Sequence, residues 1–222
     1  VPEAQVSPAI VSAGPHIGSD EAGKGDYFGP LVVAAAYADE LALARLPEAG
    51  IRDSKRISSV RRIWEVERAA KQICPAFEVV LISPARYNEL YAKMQNLNRL
   101  LAWAHARAIE NVLERVDCDL AVTDQFGDES YLEHSLMERG RRVRLVQRVR
   151  AEDDPAVAAA AVLARAAFLR SMERLSAEAG SPLPRGATHV VPVAREVVEK
   201  GGEELLRRVA KMHFRTTKQV LR

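Results

Sequence analysis

Apolar and polar positions alternate along the chain in blocks that change period. Leu31–Tyr37 reads LVVAAAY, an unbroken apolar run that predicts a strand buried on both faces. A short strand around 15–20 precedes it across a glycine-containing loop, so the two are expected to pair as neighbours. FEVVLIS at 77–83, closed by Pro84, then DLAVTD at 119–124 and VRLVQ at 143–147 predict three more strands. Between them the apolar spacing lengthens to that of helices. One is expected from a cap at Ser58 or Ser59 through about Ile73, another from Pro84 to Met94. A third runs from Leu97 to about Val116, with Leu97, Leu100, Leu101, Ala104, Ala108 and Val112 along one face. A helix near 129–138 and a long alanine-rich one from Pro155 to about Ala177 follow, and Pro155 suits a first turn. After the loop GSPLPRG, two shorter helices are expected near 190–200 and 202–212. Early strands followed by alternating helices and strands predict an α/β fold with a mixed central sheet flanked by helices, and a small helical C-terminal appendage. The expected division is a proline-containing lead-in at 1–14, a main domain at 15–180 and a helical extension at 181–222 packed on that domain.

Composition changes this picture little. In 222 residues, 48% hydrophobic, there is enough apolar material for a proper core, and a formal charge of +2 is too mild to declare a nucleic-acid binder. Basic surface must therefore come from local clusters. Residues 141–150 carry five arginines and no acid, and the tail from Lys200 to Arg222 carries seven Lys or Arg against two glutamates. The plain explanation of both is a solvated edge strand and an amphipathic surface helix. Cys74 and Cys118 lie far apart and outside a CxxC spacing, which argues against a disulfide framework or zinc site and suits a reducing cytoplasm. No apolar run reaches the ~20 residues of a membrane span, and the start lacks a basic-then-apolar signal pattern. A soluble monomer with no membrane partner is expected.

The candidate chemistry is acidic. Asp20 and Glu21 close the first predicted strand, Asp124 closes the fourth, and Glu152, Asp153 and Asp154 stand just before the alanine-rich helix. Strand ends and helix starts are where α/β proteins keep their sites. Four carboxylates converging there would repel by several kcal/mol unless divalent cations sat between them, and all-oxygen ligation selects Mg²⁺ or Mn²⁺ over zinc. Successive strand residues point to opposite faces, so Asp20 and Glu21 cannot share a site from the middle of a regular strand. Gly18, Gly23 and Gly25 are expected to relieve this through a strand end or bulge, and Gly23 and Gly25 also expose amides to a ligand at close range. Taken singly, the acids read equally well as a surface turn, a turn cap and a complement to a helix N-terminus. The five histidines show no ligand spacing, and His105, within AWAHARA, is expected to be packed or capped. With no GxSxG elbow and no cysteine beside an obvious partner, a nucleophilic side chain has no support.

The blocks GSDEAGKGDYFGPLVVAA at 18–35, DSK at 53–55, NLNRLLAWAHARAIE at 96–110, TDQF at 123–126, RAE ahead of AVAAAAVLAR at 150–165, and KMHF at 211–214 occur in this order. Together they resemble the type 2 ribonucleases H, in the HIII branch, from about residue 15 to the end. The resemblance implies a ribonuclease H-like fold and an endonuclease that cuts the RNA strand of RNA–DNA hybrids with two metal ions, leaving 5′-phosphate and 3′-hydroxyl ends. It implies that Asp20, Glu21 and Asp124 are catalytic metal ligands, with Glu152 as the fourth and Asp153 or Asp154 as alternatives. Gly23, Lys24 and Gly25 match the loop that contacts ribose 2′-hydroxyls, and Ser54 and Lys55 match a region near substrate phosphate. Lys55, the 141–150 arginines or the cations of 207–218 would then grip the backbone. Two departures stand out: the serine usual inside the alanine-rich helix is Ala161, and the residues ahead of the first strand leave no room for the extra N-terminal substrate-binding domain of this branch. Loss of that domain would lower hybrid affinity while chemistry persisted. The rival readings are HII-like incision at a single ribonucleotide in duplex DNA, and a non-catalytic nucleic-acid-binding module.

Overall fold

The computed structural model describes residues 14–222 except 52–56, 58, 126, 128, 138 and 150, and only the backbone of Glu129 and Glu152. Its sheet is built from β1 (His16–Ala22), β2 (Leu31–Ala38), β3 (Ala76–Ile82), β4 (Leu120–Asp124) and β5 (Arg144–Arg148), in the order β3-β2-β1-β4-β5. β1 pairs antiparallel with β2 and β2 with β3, while β1, β4 and β5 run parallel, so the sheet is mixed as the patterning predicts. The helices among the described residues are α1 (Glu40–Glu48), α2 (Val60–Ile73), α3 (Pro84–Met94), α4 (Leu97–Leu113), α5 (Glu129–Ser135), α6 (Pro155–Ala179), α7 (Val191–Val209) and α8 (Arg215–Val220).

Local chemistry explains the ends. Asp39, Ser59, Ser83 and Asn96 accept amide hydrogen bonds at the starts of α1 to α4, and Gly180 ends α6 in the left-handed region at φ 63°. The periodicity did not predict α1 or α8, both short; α1 also carries Pro47 near its end. α7 joins the two predicted C-terminal helices, with non-helical backbone at Gly201 and Gly202 between them.

β2 is apolar throughout because both its faces are covered. Val32, Ala34 and Ala36 belong to the core beneath α6 and α2, and Leu31, Val33 and Ala35 to the core beneath α4. α6 is long and apolar enough to cross a membrane by length and composition, yet 78% of its apolar window is buried inside the protein, where it serves as the central core helix. Its alanines let it lie against β1 so closely that a Cβ built on Gly18 would come 2.1 Å from the backbone of Ala156 and Val157. Gly18 is thus a packing glycine.

The C-terminal residues are stitched to the loop that leaves β1. Tyr27 N donates to Gly186 O, Gly29 N to Val209 O and Lys211 N to Tyr27 O, each at 2.9 Å, and Phe28 bridges Ala210.

Candidate active site

The last register pair between the parallel strands β1 and β4 is Ser19 with Thr123. The next residues, Asp20 and Asp124, therefore leave adjacent strands at the same level, and in a parallel pair the same level means the same face. Glu21 lies on the opposite face, where its carboxylate meets His105 of α4. All three acids nevertheless line one cleft of about 630 Å³. Of the two expected arrangements, a strand end or a bulge, the structure has the first: β1 keeps an unbroken register with β2 as far as Ala22 and Val32. What lets both faces reach one cleft is the end of the β1–β4 pairing at Ser19, beyond which the cleft opens beside the strand.

Each acid is held by short-range contacts. Asp20 is 8% exposed and its Oδ1 accepts from the Glu21 amide at 2.8 Å. Asp124 Oδ1 accepts from the Ala151 amide at 3.1 Å, which ties β4 to the 3-10 turn Ala151–Asp153 and brings the backbone of Glu152 next to the site. The alternatives for the fourth acid are placed elsewhere. Asp153 is exposed and does not line the cleft. Asp154 is buried, accepts from the amides of Ala156 and Val157, and pairs with His16 Nε2 at 2.9 Å. Its carboxylate is committed to capping α6, and the pair holds the His16 imidazole above its ordinary pKa despite burial, which alone would lower it.

His105 is packed, as expected, but it also touches the site. It is fully buried, its Nδ1 lies 2.6 Å from Ser19 Oγ and its Nε2 lies 3.3 Å from Glu21 Oε2. Burial pushes the Glu21 carboxyl up, but the hydrogen bond with His105, and then Lys24, outweigh it and hold the group below its usual range. Lys24 Nζ lies 3.6 Å from Glu21 Oε1.

The glycine loop divides in two. Gly23 has φ +86°, and a Cβ there would lie 2.2 Å from Pro30 O and 2.9 Å from the Phe168 ring, so the turn admits no side chain. Gly25 has no atom within 4 Å of its would-be Cβ, which leaves its backbone open to an approaching ligand. The pattern of residues did not single out Asp26, Arg165 and Arg185, which also line the cleft. Asp26 accepts from Gly186 N at 2.6 Å, and Arg165 donates to Ile57 O at 3.0 Å. Ser54 and Lys55 lie outside the described residues. Among the tail cations, Lys211 is fully buried and so cannot grip a phosphate, a correction to the expectation for 207–218.

Among the described residues no three His, Cys, Asp or Glu side chains close into a metal cage. The cleft does offer oxygen donors alone, on a chain whose fourth candidate, Glu152, stands one residue beyond the amide that Asp124 holds. That donor chemistry fits Mg²⁺ or Mn²⁺ and does not fit a thiolate or imidazole zinc site.

A family model described as ribonuclease HII matches residues 17–217. The ribonuclease HIII of Protochlamydia amoebophila (strain UWE25) is 44% identical over 208 residues, covering 93% of this chain and 68% of that protein. The ribonuclease HIII of Chlamydia pneumoniae is 41% identical over 210 residues, covering 93% of this chain and 70% of that protein. The crystal structure of Bst ribonuclease HIII in complex with Mn²⁺ superposes with a TM-score of 0.87 at 32% identity, covering 96% of this chain and 70% of that one.

Proposed function

This chain belongs to the type 2 ribonuclease H family, in its HIII branch, and from that premise we propose that it cuts the RNA strand of RNA–DNA hybrids internally, with Asp20, Glu21, Asp124 and Glu152 as its catalytic acids. The observation that carries the residue assignment is the meeting of Asp20, Glu21 and Asp124 in one cleft whose rim is the Gly23 turn. The four acids would hold two Mg²⁺ or Mn²⁺ ions, which when bound supply an activated water and stabilise the departing ribose oxygen, giving 5′-phosphate and 3′-hydroxyl ends.

The remaining work falls to the chain's own residues. Asp124 accepts from the Ala151 amide, so the end of β4 and the backbone that carries Glu152 are fixed relative to each other. His105 donates to Glu21 and keeps it ionised and aimed into the cleft. The open backbone at Gly25, beside Lys24, can come within hydrogen-bond reach of a ribose 2′-hydroxyl, a donor and acceptor present on every ribonucleotide whatever its base. Arg165 and Arg185 put positive charge on the cleft wall for the phosphates of the duplex.

We also assign the protein to the cytoplasm, as a monomer. Cys74 and Cys118 are both free, as suits a reducing compartment.

The test is a Mg²⁺ and Mn²⁺ titration on an end-labelled hybrid, beside a duplex containing one ribonucleotide. Metal-dependent cuts within the RNA of the hybrid are expected. A shifted but uncut band would overturn the reading in favour of a binding module, and cutting confined to the single-ribonucleotide duplex would replace it with the HII-like activity.

A further inference from the structure

The most unusual group outside the acid site is Lys211. Its side chain is completely buried, yet it belongs to a segment that sequence patterning treats as a basic surface. Its Nζ donates to the carbonyls of Asp26 and Gly29, both at 2.8 Å, and faces the Tyr87 ring with its centroid 5.7 Å away. These two carbonyls bracket the segment by which the glycine turn returns to the sheet.

We propose that Lys211 is a positioning residue for recognition of the RNA strand: its buried amine clamps Asp26 and Gly29 and so sets the shape of the Gly23–Lys24–Gly25 turn at the cleft. This deepens the ribonuclease reading and rests on it for the identity of the ligand. The turn is held only loosely from within: among the described residues its backbone bond, Asp26 N to Gly23 O, is long at 3.3 Å, and Lys24 reaches back to Glu21 at 3.6 Å. Its shape is imposed at the exit. There the Asp26 carboxylate accepts from Gly186, the Asp26 carbonyl from Lys211, and Gly29 is bonded through its amide to Val209 and through its carbonyl to Lys211. An apolar residue at 211 would fill the space but leave two inward-facing carbonyls unpaired, and the segment would turn outward to find water. Burial lowers the amine to about 7, and the neutral amine still carries two N–H groups, enough for both carbonyls, so the clamp survives loss of the proton.

The experiment compares the full chain with Lys211→Met, which matches the volume and donates nothing. Amide exchange across residues 23–29 is expected to speed up while β1 and α6 keep their protection and Mn²⁺ affinity is unchanged. Hybrid turnover should fall between about 10- and 100-fold, as for a displaced positioning group. The ratio of hybrid to DNA-duplex binding should fall with it. An unchanged loop and ratio, or faster exchange everywhere with an unchanged ratio, overturns the proposal. If Lys211→Met does not fold, Lys211→Gln, one atom shorter, is read by the same exchange and the same ratio. Loop exchange is measured without turnover, so a wild-type chain that leaves hybrid uncut would sink the ribonuclease reading and still allow the clamp to be judged.

Discussion

Glu21 and His105, 84 residues apart in the chain, meet with the imidazole Nε2 3.3 Å from the carboxylate, and Ser19 Oγ lies 2.6 Å from the other ring nitrogen. The hydroxyl can donate to Nδ1 while Nε2–H donates to Glu21, so the ring is fixed from both sides in one tautomer. A carboxylate oriented in this way is preorganised to ligate. His105→Gln should therefore weaken Mn²⁺ binding by about tenfold or more, measured by calorimetry, while circular dichroism stays unchanged.

The acids near the start of α6 should separate by phenotype. Asp124→Asn and Glu152→Gln should each abolish hybrid cleavage at saturating Mg²⁺ while binding to hybrid is largely kept. Asp153→Asn should cut normally, because Asp153 is exposed and away from the cleft. Asp154→Ala should instead unfold more easily, by about 3 kcal/mol in a urea titration, since it removes a helix cap and leaves His16 buried without its partner. A stable, inactive Asp154→Ala would move the fourth ligand there.

Three glycines in one stretch should answer differently to alanine. Gly18→Ala drives a Cβ into helix backbone that cannot yield locally, so a loss of about 3 kcal/mol is expected by urea denaturation. Gly23→Ala combines a positive φ with a clash at Pro30 and should lose stability and activity together. Gly25→Ala meets no atom of the protein, so its melting temperature should hold while KM for hybrid rises. Unchanged kinetics in Gly25→Ala would mean that the substrate does not approach that backbone.

Lys211 also makes stability depend on pH. Burial lowers it from 10.5 to about 7. Between these values the unfolded chain binds a proton that the folded chain does not, so stability rises with pH by up to about 1.4 kcal/mol per unit in that window. The penalty is fully present below pH 7 and is relieved towards pH 10.5. Urea midpoints of the wild type relative to Lys211→Met should accordingly climb from pH 7 to pH 9, and a constant difference would contradict a depressed pKa.

Most elements were legible in the chain because they follow from short-range causes. The apolar patterns of β2 to β5, the cap at Ser59 and the first-turn Pro84 act within a few residues, and the resulting elements sit within a few positions of where the patterning placed them. The acids at strand ends were visible for the same reason. The roles within Glu152–Asp153–Asp154 were not, because all three are acids in one turn, any of which could cap α6, and His16, 138 residues from Asp154, joins that cap in holding Asp154 away from the cleft.

Local spacing thus decided where strands and helices form and which carboxylates stand at their ends, since periodicity and capping are interactions between near neighbours. Only the folded chain decided that Gly18 serves packing, that Asp20 and Glu21 reach one cleft from opposite faces without a bulge, and that Lys211 is a core residue. Those outcomes depend on which distant segment arrives to supply a partner or exclude water, and the residues alongside a position in the chain carry no record of that.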